Sequence, residues 1–256
     1  MRYALTLSYD GSGFYGWQIQ PHERSIQETL QQALGTLLGC EIAVTGAGRT
    51  DTDVNALEYI AHFDYVGVLP YECADFIFKL NAILPQEICI LNLREVDSNF
   101  HARFDACKRT YHYFIHFKKD PFVRHYSWYC KYKLDVEAMQ RACQYLIGTQ
   151  DFACFEKKGA DSKTTLCTLY EAKWEFYRPS LQSVCGKDGG ESYLCFTVSA
   201  NRFLRNMVRA IVGTMIEIGR GRMKAEDLPE VLASKNRCRA GQSVPGNALF
   251  LTKVEY

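Results

Sequence analysis

The chain has 256 residues, 47% of them apolar and 23% charged, and 30 Lys and Arg against 29 Asp and Glu leave a net charge of +1. That length gives room for one large domain or two modest ones with real cores, and the composition excludes a disordered chain. No apolar run reaches bilayer-spanning length, and the opening MRYALTLSYD alternates where a signal peptide would be a solid apolar block. A cytoplasmic protein with no membrane association is therefore expected, and any nucleic-acid binding must rest on local clusters of cations.

In chain order, residues 2–9 alternate as a strand and Ser25 to Leu38 reads as a helix. Ser25 and Glu28 give its S-x-x-E start, Ile26, Leu30, Ala33 and Leu37 its apolar face, and Gly39 its stop. A short strand at 40–45 leads into GAGRTD at 46–51; a strand at 56–64, a helix at 72–84 and a strand at 88–95 follow. The second half repeats the order. Residues 108–117 alternate, with Tyr111, Tyr113, Ile115 and Phe117 on one face, and a helix over about 135–147 ends at Gly148. Strands at 165–177 and 192–200 flank a polar, Gly-containing loop, and helices at 203–219 and 225–233 precede a last strand at 248–256.

This order predicts an α+β protein of two ferredoxin-like β-α-β-β-α-β halves, forming a broad, mostly antiparallel sheet with helices on one face. The expected domains are 1–105 and 106–256. The halves share element order and no sequence similarity. A sheet with loops at its rim suits RNA binding, many enzymes and many regulatory domains, so the fold alone does not choose a function.

Eleven cysteines, an odd number, contain no C-x-x-C pair and no Cys–His cluster at ligand spacing. Several lie in apolar runs such as ICIL and YLCF, so they are read as reduced, mostly buried small hydrophobes, and no metal is implied.

The stretch with most chemical content is GAGRTDTDVNA at 46–56. It lacks the Walker pattern, and Asp51 stands where a dinucleotide fingerprint needs its third Gly, so it is not a phosphate cradle. The residues themselves leave two readings open: a tight turn braced by an Arg49–Asp51 pair, or a loop presenting a carboxylate for catalysis. Arg202, Arg205 and Arg209 fall at i, i+3 and i+7, from just before the expected 203–219 helix into it, either as a solvated helix face or as part of a phosphate-tracking groove with Arg103, Lys108 and Arg109.

GAGRTD, with the following strand ending AHFD, resembles the active-site loop of the tRNA pseudouridine synthase A family, which acts at positions 38–40 of tRNA. YDGSGFYGWQIQP at 9–21, SIQETL at 25–30, NAILP at 81–85, FHARFDACKRTYHYFI at 100–115, GTQDFACF at 148–155, NRFLRNMVRAIVG at 201–213 and AGQSVPGNALFL at 240–251 match the family in order, over nearly the whole chain. The resemblance implies isomerisation of uridine to pseudouridine in the anticodon stem-loop, with no cofactor. It implies Asp51 as catalytic carboxylate, Arg49 as the residue that helps displace and hold the flipped nucleotide, Tyr111 stacked on the uracil, and Arg209 as the cation paired with the carboxylate. It further implies tRNA as partner, a homodimer whose substrate lies across both subunits, and RNA contacts for Arg103, Lys108, Arg109, Arg202 and Arg205.

The family loop reads R-T-D-x-G-V-H-A, whereas this chain has Asp53 for the glycine and Asn55 for the histidine. Asp53 must then accept a positive φ if the backbone is unchanged, and on a strand it would share a face with Asp51. A divergent relative acting on a different RNA target, or kept as a non-catalytic RNA-binding module, is the alternative that these departures support.

Overall fold

The computed structural model describes residues 1–159, 162–184 and 190–256. They divide into two compact units, Met1–Arg109 with Phe250–Tyr256 and Thr110–Leu249, so the last strand, counted with the second half in sequence, packs with the first unit from Phe250 onward.

The first unit runs β1 (Arg2–Tyr9), α1 (Ile26–Leu38), β2 (Val44–Gly46), β3 (Asn55–Asp64), α2 (Cys73–Ile83) and β4 (Ile88–Val96), the expected β-α-β-β-α-β order. Helix α1 starts where Ser25 Oγ accepts the Glu28 N–H at 3.3 Å and stops at Gly39, φ +70°. Its buried residues are Ile26, Leu30, Ala33 and Leu34. Strand β1 lies between β4 and β3, antiparallel to both. The expected strand at 40–45 is confined to Val44–Gly46, which pairs with the outer half of β3. The inner half of β3 is paired in parallel by the last strand, Leu249–Glu255, through Phe250 opposite Asn55 and Leu251 opposite Ala56.

The second unit carries β5 (Lys108–His116, from Thr110), β6 (Trp128–Tyr129), α3 (Val136–Cys143), β7 (Gly148–Asp151), β8 (Leu166–Phe176), α4 (Ser180–Val184), β9 (Tyr193–Ala200), α5 (Met207–Gly219) and α6 (Leu228–Ala233); the closing strand is then β10. Its sheet order is β5-β9-β8-β7, with β6 parallel to β5. Strand β9 is buried at every position, as a central strand covered on both faces must be. Helix α5 is buried nearly all round and forms the core of the unit. The two short strands β6 and β7 were not expected, because two and four residues are too few for alternation to register.

Two further expectations need correction. Helix α5 begins at Met207 and not at 203, because Asn206 before it sits in the left-handed region at φ +64°. Of the ten described cysteines, all free, only Cys130, Cys143, Cys154, Cys167 and Cys195 are buried; Cys185 lies outside the described residues. Among the described residues no helix is long and apolar enough to cross a membrane, and no three His, Cys, Asp or Glu side chains gather as a metal site needs.

The AHFD end of β3 ties down the segment after β4. Asp64 holds Arg2 in a two-point ion pair at 2.7 and 2.8 Å, and Arg2 also donates to the Phe100 carbonyl at 2.8 Å. The buried His62 accepts the Ala102 N–H on Nδ1 at 3.1 Å. Burial first, then the charges of Arg2 and His101, pushes His62 down to about 4 from 6.5. Its folded-state value is depressed, so the unfolded chain binds the proton more readily; the stability His62 contributes above pH 6.5 is lost as pH falls towards 4. Urea unfolding across that window should therefore be less pH-dependent in His62→Asn, which keeps an acceptor but does not titrate, by at most about 1.4 kcal/mol per pH unit. An identical pH slope in the two proteins would contradict this.

Candidate active site

In the first unit Tyr9 at the end of β1 stands opposite Ala56 at the start of β3. The segment leaving β1 and the GAGRTD loop entering β3 therefore emerge from the same end of the sheet, and they pack backbone against backbone. The Thr50 carbonyl accepts the Trp17 N–H at 3.3 Å, the Phe14 carbonyl accepts the Asp53 N–H at 3.4 Å, and Asn55 Oδ1 accepts the Gly11 N–H at 2.8 Å. A methyl group on Gly11 would lie 2.2 Å from the Val54 carbonyl oxygen, and one on Gly16, whose φ is +87°, would lie 2.2 Å from that of Thr50. Only glycine permits either approach.

Beneath the loop lies an aromatic floor. Trp17 stacks on Tyr59 with centroids 4.2 Å apart, and Tyr9 meets Tyr59 at 5.6 Å. All three rings are buried, and each hydroxyl is used: Tyr9 shares a 3.0 Å hydrogen bond with Thr50 Oγ1, and Tyr59 donates to the Gly48 carbonyl. The loop is thus fixed at Gly48, Thr50, Asp53 and Asn55, around a turn in which the Asp51 carbonyl accepts the Val54 N–H at 3.2 Å.

The carboxylate of interest is presented from this turn. Thr50 and Val54 are buried on either side, Asp51 is partly exposed and Arg49 is exposed. Asp53 adopts φ +63° and is exposed, so it takes the glycine-like conformation that the departure from the family pattern demands. Because 51–54 turns, Asp51 and Asp53 do not share a strand face. Asn55, in place of histidine, is buried and serves as the acceptor for Gly11, a task that needs no titration.

Three expected RNA-contacting residues also lie in this unit. Arg109 directs its guanidinium at backbone: to the Ala47 carbonyl at 3.1 Å, to Arg103 at 2.7 Å and to Ala106 at 2.7 Å. It braces the start of the GAGRTD loop against the 101–106 turn, a positioning task that nothing in its sequence neighbourhood reveals. Arg103 is exposed on that turn, and Lys108 faces Glu255 at 3.6 Å, each about one-third exposed.

In the second unit Tyr111 is partly exposed and meets Phe203 edge-on, centroids 5.2 Å apart at 88°. Arg209 lies in the first turn of α5, where its Nε donates to the Val244 carbonyl at 2.7 Å and its own carbonyl accepts the Val244 N–H at 3.3 Å. The 240–244 segment that fixes it is held in turn by Arg237, which donates to the Gly241 carbonyl and to Ser243 Oγ, both at 2.9 Å. Arg202 and Arg205 precede the helix, so they do not share a helical face with Arg209; the left-handed Asn206 separates them from it. Arg205 is exposed and Arg202 partly so.

Comparison with known proteins identifies the family. Residues 142–256 match the family model for tRNA pseudouridine synthase. The tRNA pseudouridine synthase A of Bacteroides thetaiotaomicron is 44% identical over 255 residues, covering 100% of this chain and 90% of that protein. The protein of the same name from Bacteroides fragilis is 45% identical, covering 100% and 96%, and that from Caldicellulosiruptor bescii is 39% identical, covering 98% of each. Identity of this extent over the full chain shows that the protein belongs to the tRNA pseudouridine synthase A family.

Proposed function

We propose that this chain isomerises uridine to pseudouridine in the anticodon stem-loop of tRNA, at positions 38, 39 or 40, with Asp51 as its catalytic carboxylate. The reaction breaks the bond from N1 to C1′, turns the uracil and joins C5 to C1′, and the C5 proton is released as N1 regains one. Atoms and oxidation state are unchanged, so the chemistry calls for no cofactor. Asp51 acts at the sugar, as nucleophile or as base.

The observation that carries the assignment is the anchoring of the loop on both sides of Asp51 while the residue itself stays accessible. A reacting carboxylate held in place before substrate arrives spends no binding energy on its own ordering. Arg49, exposed two residues earlier, suits the displacement and holding of a flipped nucleotide. Tyr111 is assigned to stack on the uracil, and its edge-on neighbour Phe203 supports that ring. Arg209 is assigned as the cation paired with the carboxylate, and its tether to Val244 supports a fixed position.

Arg103, Lys108, Arg202 and Arg205 are assigned to phosphates, and the ion pair of Lys108 with Glu255 is solvent-exposed enough to exchange for one. Arg109 is assigned to hold the loop, its guanidinium being engaged on backbone carbonyls. The same reading takes the protein as a cytoplasmic homodimer, in which modest cation clusters act twice in a chain of net charge +1.

Asp51→Asn should abolish pseudouridine formation in unmodified tRNA transcripts while leaving affinity within about three-fold, since phosphate contacts supply most of the binding. Turnover near the wild-type rate, mapped by carbodiimide-dependent reverse-transcription stops, would remove Asp51 from its role. Binding should also weaken steeply with salt, and Arg205→Ala should reduce the slope of log K against log salt by about 1. A salt-independent affinity would contradict the phosphate assignments.

A further inference from the structure

The turn at 101–106 presents an aromatic ring to solvent in a way that core packing does not explain. Phe104 is 73% exposed. A phenylalanine left in water forgoes the free energy of its burial, and a flexible loop would fold such a ring inward. This loop is not free to do so. His101 Nδ1 accepts the N–H groups of both Arg103 and Phe104, at 3.2 and 3.3 Å, and the His101 N–H donates to Asp105 Oδ2 at 2.7 Å. Ala102 is fully buried, its N–H on His62 and its carbonyl accepting the Tyr256 hydroxyl at 2.7 Å. Arg109 closes the turn through the Arg103 carbonyl.

The ring so presented has a particular setting. The His101 imidazole lies 4.3 Å from it, centroid to centroid at 33°, and the Arg103 guanidinium carbon lies 5.6 Å from its centroid. The phenyl group is therefore packed against the imidazole, a guanidinium lies over it at longer range, and most of the residue stays exposed. An aromatic surface with an adjacent guanidinium is the arrangement by which proteins hold unpaired nucleobases: the ring stacks on the base and the cation takes the neighbouring phosphate. Position agrees with this. A single Arg109 nitrogen bonds both the Arg103 carbonyl of this turn and the Ala47 carbonyl of the GAGRTD loop, so the platform and the Asp51 loop are braced by one group.

We propose that Phe104, backed by His101 and flanked by Arg103, is a stacking platform for an unpaired nucleobase of the RNA substrate, beside the nucleotide that undergoes reaction. This rests on the RNA-modifying reading above, and its test separates the two. Affinity for an unmodified anticodon stem-loop RNA is measured by fluorescence anisotropy for wild type, Phe104→Ala, Phe104→Leu and Phe104→Tyr, with pseudouridine formation and sedimentation followed alongside. Phe104→Ala should weaken binding about ten-fold or more, with Phe104→Tyr within about two-fold of wild type, because stacking needs the ring and not its para position. The salt slope should be unchanged in Phe104→Ala, since losing a stack releases no counterions.

Wild-type affinity in Phe104→Ala overturns the platform, as does full recovery in Phe104→Leu, which would make the site a plain apolar contact. A change in oligomeric state in Phe104→Ala overturns it too, in favour of a protein interface. If wild type binds the RNA but forms no pseudouridine, the proposed reaction falls while the Phe104 result still stands. If wild type does not bind the RNA, both fall.

Discussion

Two carbonyl oxygens, those of Thr50 and Val54, occupy the space that side chains would fill at Gly16 and Gly11. The candidate active site depends on that contact. It lets one loop lie directly on the backbone of another, so that amide groups and a buried Asn55 side chain can bond across at 2.8–3.4 Å. A layer of side chains between the two segments would put those bonds out of reach, since amide hydrogen bonds fail beyond about 3.5 Å. The register of β1 with β3 makes the meeting possible by bringing Tyr9 opposite Ala56, and the Tyr9, Trp17 and Tyr59 rings support it from beneath.

The same economy recurs in the second unit. Arg209 is fixed by the backbone of Val244 and not by another side chain, and the segment that supplies Val244 is fixed by Arg237 on backbone carbonyls. Arg109 in the first unit likewise spends its guanidinium on three carbonyls. Arginine suits this work because its rigid fork of donors can bridge several acceptors, and a group with no accessible neutral form holds them at any physiological pH. Arginines that a count of charges would assign to nucleic acid are thus divided between placing the loops and facing solvent, where Arg49, Arg103 and Arg205 remain.

Much of this was legible in the sequence wherever a periodic pattern ran long enough. Strands β1, β3, β4, β5, β8, β9 and β10 and helices α1 and α2 lie within a residue or two of their expected bounds, because alternation, an N-cap serine and a stop glycine each have local physical causes. What was missed is non-local. The start of α5 is set by a single left-handed residue, Asn206, whose conformation the surrounding apolar pattern does not announce. The brief strands β6 and β7 exist only through their partners. At the site, Asp53 at positive φ was foreseeable from the glycine it replaces, whereas the reason for Gly11 and Gly16 was not. Only the fold shows that their missing side chains make room for the loop that carries Asp51.

If that close approach is what places Asp51, adding one methyl group at Gly16 should disable the chemistry without disabling RNA recognition. The decisive measurement is the single-turnover rate of pseudouridine formation by Gly16→Ala at saturating enzyme, alongside its affinity for the same RNA and its far-ultraviolet circular dichroism. Raising the barrier by about 2.7 kcal/mol or more corresponds to a rate loss of at least about a hundred-fold, and that is the predicted result, with affinity within a few-fold of wild type and a native-like spectrum. A folded Gly16→Ala protein that turns over at the wild-type rate would contradict the account.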